Sequence, residues 1–162
     1  MTHITIEYMI MIPILIMQIF LFPLTATWLM DIWVDSRRTL ALQEATSHLG
    51  STIQQLYFSL NHETISAGTA TYSPGLPPFI ENNHYIGNAT LRTVLDPTLI
   101  SSKVLELTLK LAKTSITVTT SVILGPNVLW RESTFISNST HACVSAEKLP
   151  LPNGSICLYF GG

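Results

Sequence analysis

The sequence predicts an α+β protein, a long N-terminal apolar helix followed by a C-terminal all-β head domain. Three observations predict it: an uncharged apolar run from Tyr8 to Met30, an apolar stripe at steps of three and four continuing to Leu60, and period-two alternation beyond about residue 85. The resulting organisation is a helix over 1–62, apolar and membrane-length over 8–30 and amphipathic over 31–60. A linker with a Pro/Gly-rich turn follows over 63–84, and then a β-rich head over 85–162.

The apolar run is hydrophobic on every helical face, so lipid or protein must cover it. About 20 such residues span a bilayer core, and sequence alone does not separate a membrane from the centre of a helical polymer. The run is too long for the h-region of a cleaved secretory signal and no basic region precedes it, so it reads as retained. Pro13 and Pro23 each remove a backbone donor, at a cost of about 3 kcal/mol in a soluble helix. Neighbouring chains, and Thr25 and Thr27, are expected to take up the freed carbonyls. Trp28 and Trp33 stand where the run ends, as interface anchors or as packing between helices.

Leu42, Ala45, Leu49, Ile53, Leu56 and Leu60 then recur on one face between polar residues. Unbroken from Ile6 to Leu60, the helix would be about 80 Å long. Gly50 is a weak point, and Asn61-His62 and Ala67-Gly68 are stop signals. Ser73-Pro74-Gly75-Leu76-Pro77-Pro78 is turn chemistry. Leu105, Leu107, Leu109 and Leu111 alternate with polar residues, as do Ile116, Val118, Thr120 and Val122, which predicts a hairpin turning near Lys113-Thr114. Further strands are expected at about 85–95, 127–136, 141–147 and 155–160.

Only 11% of the residues are charged, against about 25% in an average soluble domain, and the mean hydropathy is +0.38. The net charge of −2, with eight scattered Lys and Arg, leaves no basic field for nucleic acid. Cys143 and Cys157 are the only cysteines, and their close spacing suits one disulfide in an oxidising compartment, with two buried free thiols as the alternative. Such a bridge would close a loop of about 15 residues and add about 3 kcal/mol. Three sequons begin at Asn88, Asn138 and Asn153. They agree with N-linked glycans as the missing solubilising groups, although a Ser/Thr-rich chain also supplies sequons by chance. Arg37 and Arg38 follow the apolar run, which would place its C-terminal side in the cytoplasm. That conflicts with cysteines and sequons outside, and one resolution is a basic leader removed by processing.

Catalytic and metal chemistry is not legible. The five histidines have no metal-ligand spacing, and His141-Ala142-Cys143 offers too few ligands for structural zinc. No phosphate loop, nucleophile elbow or haem motif occurs. Glu81, Asp96, Glu106, Glu132 and Glu147 are scattered, as solubilising charges are. The expectation is a protein that is not an enzyme and uses no cofactor.

The stretch from Ile6 to Leu60 resembles the type IV pilin superfamily, including archaeal pilins, archaellins and TadE-like pseudopilins. Glu7 just before the apolar run, with Pro13 six residues later, is the local match to the TadE-like chains. The resemblance implies assembly roles for Glu7, Pro13 and Pro23, with Glu7 offsetting the N-terminal amine of a neighbouring subunit. Glu7 is fifth only if the processed chain begins at His3; otherwise the start is Met1 with the Glu displaced. A Glu in the first helical turn is also favoured by the helix dipole alone. The family implies subunits that wait in the membrane and then polymerise as identical copies, helices inside and β heads outside, into an extracellular filament. A single-span, membrane-anchored surface glycoprotein with a β-rich binding domain is the alternative; a membrane enzyme or a viral coat or envelope protein is more distant.

Overall fold

The computed structural model describes residues 2–94, 102–150 and 154–161, with side chains from Met9 onward. Among the described residues one helix, α1 (Thr2–Leu60), precedes eight strands: β1 (Gly68–Tyr72), β2 (Tyr85–Thr93), β3 (Lys103–Leu111), β4 (Thr117–Leu124), β5 (Val128–Trp130), β6 (Thr134–Ile136), β7 (Cys143–Lys148) and β8 (Ile156–Gly161). The long apolar helix followed by a C-terminal β-sheet domain is the architecture expected from the sequence. The chain divides into two units, Met1–Arg37 and Arg38–Gly162.

The first unit is helix throughout its described residues. The second unit begins with the remaining turns of α1, and here the stripe finds its purpose. Leu42, Leu49 and Ile53 are fully buried, with Ala45, Tyr57 and Leu60 nearly so, in one core with residues of both sheets. The β domain expected from the sequence thus packs on the last turns of α1, which supply one wall of its core. Gly50 is no weak point. A Cβ there would stand 3.0 Å from Val122 Cγ2, so glycine lets the helix backbone approach β4. Buried Thr46 and Thr52 satisfy their hydroxyls on the helix itself, donating to Leu42 O at 2.6 Å and His48 O at 3.0 Å. The helix closes with Asn61 N donating to Tyr57 O at 2.8 Å.

One sheet has the order β1-β7-β8-β5 and the other β4-β3-β2-β6. Period-two alternation explains the second: Leu105, Leu107, Leu109 and Leu111 of β3 are fully buried while Glu106, Thr108 and Lys110 take the other face. The β3–β4 hairpin pairs Lys110 with Thr117 and turns through Lys113, whose φ of 62° is left-handed. All pairings are antiparallel except β5 with β8. Phe135 of one sheet meets Phe160 of the other edge-on at 5.6 Å, and Trp130 meets Phe160 at 4.9 Å. The Phe135–Phe160 contact joins the two layers, while Trp130 packs on Phe160 within one sheet.

Two local readings change. The expected strand at 127–136 is two strands in different sheets, broken over Arg131–Ser133 so that the chain crosses between them. The expected linker over 63–84 contains β1, paired along its length with β7 from Gly68↔Lys148 to Tyr72↔Val144. Its proline stretch is tied down as well. Tyr85 Oη donates to Pro77 O at 2.9 Å, Ser137 Oγ donates to Pro78 O at 2.8 Å, and Tyr85 N donates to Ser137 Oγ at 2.9 Å. A two-residue turn follows, with φ of 44° at Glu81 and 66° at Asn82, and Ile80 and Asn83 exchanging backbone hydrogen bonds at 2.9 and 3.0 Å. Both central residues at positive φ is the arrangement of a tight hairpin turn. Arg38 Nε holds the Glu81 carboxylate at 2.9 Å, so this acid has a structural partner beyond its solubilising charge.

Burial pushes the Tyr85 hydroxyl from its ordinary value of 10.0 up to about 12. The folded state keeps that proton where the unfolded chain has lost it, so this contribution to stability is complete below pH 10 and declines as pH rises toward 12. A urea midpoint measured against pH is expected to fall over that interval. Tyr85→Phe should flatten that fall, while lowering the midpoint at neutral pH through loss of the bond to Pro77 O. A fall of unchanged steepness in Tyr85→Phe would assign the titration to another group.

Candidate functional site

The feature that sets this protein apart is the surface of its first unit. Between Met9 and Trp33 eighteen large apolar side chains are exposed, from Leu21 at 46% to Met9 at 79%. Their exposure is not confined to one face. Half-exposed side chains of this size gain about 1 kcal/mol each on being covered, so covering all of them is worth on the order of 20 kcal/mol. A whole domain is stable by only about 5–15 kcal/mol. A helix with this surface needs an apolar environment. It is also long and apolar enough to cross a membrane, one 18-residue window of Met9–Leu60 reaching a mean hydropathy of 2.2.

Both helix-interior prolines lie within this surface. Having no N–H, Pro13 and Pro23 leave the carbonyls of Met9 and Ile19 without the usual donor four residues on. The threonines do not fill these gaps, contrary to the sequence expectation. Thr25 Oγ1 donates to Leu21 O at 3.1 Å and Phe22 O at 3.0 Å, and Thr27 Oγ1 donates to Pro23 O at 2.8 Å. These hydroxyls are satisfied on neighbouring carbonyls, and those of Met9 and Ile19 are left to other donors. A surface notch beside Pro23 is lined by Gln18, Ile19 and Pro23, by the apolar Leu15, Leu21 and Phe22, and by Thr25, whose hydroxyl proton is already spent on its own helix.

Glu7 lies within α1, which begins at Thr2 and has no acidic residue in its first turn. The Glu7 side chain lies outside the described residues. At the other end of the apolar run the Arg37 guanidinium stacks over the Trp33 ring, 4.9 Å from its centroid. This pairing presents an aromatic face and a cation where the sequence changes from apolar to polar.

The disulfide does not form. Antiparallel pairing sets Cys143 opposite Gly161 and Cys157 opposite Glu147, so the cysteines are four residues apart along the ladder, about 13 Å. A bridge needs Cα atoms within about 7 Å. Both thiols are free and partly buried. Their proximity in sequence misled because a hairpin loop can close without its flanking cysteines facing each other.

Asn88 is exposed on β2, between Thr108 of β3 and Thr134 of β6, and Asn138 is exposed in the turn after β6. Asn153 lies outside the described residues. Among the described residues no three of His, Cys, Asp and Glu come together as metal ligands would. Sequence reasoning missed a polar cluster that joins α1 to the sheets within the second unit. Tyr57 Oη donates to Asn127 Oδ1 at 2.9 Å, and Asn127 Nδ2 donates to Asn61 Oδ1 at 2.9 Å. Burial raises the Tyr57 hydroxyl, partly opposed by a hydrogen bond with the Gly125 backbone. Gly125-Pro126-Asn127 carried only a turn signal, and nothing in it marks Tyr57 as its partner.

Comparison of the chain with protein-family models, with curated proteins and with solved structures finds no match.

Proposed function

We propose that this chain is a structural subunit of an extracellular filament of the type IV pilin kind, held in a membrane before assembly and polymerised through its apolar helix. The observation that carries the reading is the apolar surface on all sides of Met9–Trp33, in the same helix whose later turns complete the core of a folded domain. Copies packed around one another cover such a surface completely. A helix that leaves lipid for a bundle of its own kind gives up little and gains dispersion contacts and partners for its orphaned carbonyls. Contacts that do not close into a ring then extend into a helical polymer. Glu7, Pro13 and Pro23 act in that assembly. The β domain faces solvent, where glycans at Asn88, Asn138 and Asn153 would add the solubility that its few charges do not supply. The role is structural and not catalytic.

A single-span surface glycoprotein is favoured by one specific observation, the Trp33–Arg37 stack with Trp28 close by, which suits the boundary between lipid and headgroups. Electron microscopy of material sheared from the surface of the native cells, with mass spectrometry of the subunit and its first residue, separates the two. Thin filaments built of this chain are expected. Recovery of the chain only as dispersed monomers in the membrane fraction would replace the filament with the anchored glycoprotein.

A further inference from the structure

Along the apolar helix from Met9 to Leu24, Gln18 is the only side chain that carries a hydrogen-bonding nitrogen or oxygen. It is exposed. It lines the notch beside Pro23, and so does Ile19, whose carbonyl is the one that Pro23 leaves without an N–H. One short stretch of helix thus carries an amide donor and, one residue on, a backbone acceptor released from its own ladder. Lipid tails and aliphatic side chains satisfy neither.

We propose that this notch is a self-recognition site at which a second copy of the chain docks side by side in the membrane, the Gln18 amide of each copy donating to the Ile19 carbonyl of the other. The inference rests on the membrane stage of the proposed function. Two copies inserted in the same direction lie at the same depth, so Gln18 of one is level with Ile19 of the other, one residue and about 1.5 Å away along the axis. The pairing is reciprocal, as a two-fold contact requires. The occupant follows from complementarity: an identical helix brings the missing donor and the missing acceptor together at one level, and an unrelated apolar helix brings neither. Pro23 becomes part of the recognition, since the residue that breaks the ladder exposes the acceptor. Pro13 frees the Met9 carbonyl in the same way, and Tyr8 stands beside it in the sequence, but the Tyr8 side chain lies outside the described residues.

The test is sedimentation equilibrium of the full chain in detergent micelles, with circular dichroism to establish unchanged helix content. The parent chain is expected to pair reversibly, and Gln18→Leu to weaken pairing roughly tenfold. Pro23→Ala returns an N–H to the Ile19 carbonyl, so adding Gln18→Leu in that background should change association less than twofold. Such non-additivity is the signature of a shared contact. Equal pairing by the parent and Gln18→Leu overturns the proposal, as does an equal loss in both backgrounds, which would give Gln18 a different acceptor. A parent chain that stays monomeric in micelles overturns it too. In that case filaments sheared from cells would leave the filament reading standing, and their absence would remove both.

Discussion

Expressed from Arg38 to Gly162, the protein is expected to be a soluble, cooperatively folding monomer, and from Glu63 to Gly162 it is expected not to fold. The first piece omits the apolar surface of Met9–Trp33 and keeps every residue of the buried core. The second removes Leu42, Ala45, Leu49, Ile53, Tyr57 and Leu60, all of them buried. Truncating one buried Leu or Ile costs about 2–5 kcal/mol, so losing four such residues together with the Tyr57 ring and Ala45 exceeds the 5–15 kcal/mol by which a domain is stable. It would also bare the inner faces of both sheets. Urea unfolding followed by far-ultraviolet circular dichroism, with sedimentation for oligomeric state, reads both pieces. A folded 63–162 piece would mean that the sheets form a core without the helix, contrary to the packing described here.

Gly125→Ala is expected to destabilise the domain by about 2–4 kcal/mol, as an overpacked core with a lost hydrogen bond does. A Cβ at this position would occupy the site of the Tyr57 hydroxyl and stand 3.1 Å from its Cζ. Tyr57 is 3% exposed and its hydroxyl is held by Asn127, so the ring has little room to yield. Moving it breaks the chain of bonds from Tyr57 through Asn127 to Asn61. Tyr57→Phe removes the atom that clashes, so the double variant should lose less than the sum of the two single changes, with Cζ limiting the recovery. Strict additivity in a denaturant double-mutant cycle would show that the two residues do not press on each other in solution.

How much of this was legible in sequence can be seen residue by residue. The β3 leucines announced their strand because a half-buried strand repeats every two residues and the pattern is local. The stripe Leu42, Ala45, Leu49, Ile53, Leu56 and Leu60 likewise announced one helix face turned to the core, buried at every position but the partly buried Leu56. The partner of that face was not announced, since periodicity says that a surface is covered and not by what. Strand β1 was missed because Gly68–Tyr72, with burial limited to Ala70, has no alternation to detect. It is a strand by virtue of its ladder to β7. The candidate assembly surface was the most legible part, since apolar character on all faces is a property of composition. The notch was less so: Gln18 and Pro23 are five residues apart, and their meeting in one cavity needs the helix to be built.

By itself the sequence determined the order of one long helix and then strands, the extent of that helix to about Leu60, and the apolar surface, all of which follow from local patterns read a few residues at a time. Tertiary structure alone decided that the second part of the helix belongs to the core of the β domain, that residues 127–136 divide between two sheets, and that Cys143 and Cys157 face different partners. The physical reason is the same in each case. These outcomes depend on register and on contacts between residues far apart in the chain, such as Tyr57 with Asn127 and Gly50 with Val122, and no local pattern encodes which distant surface fits.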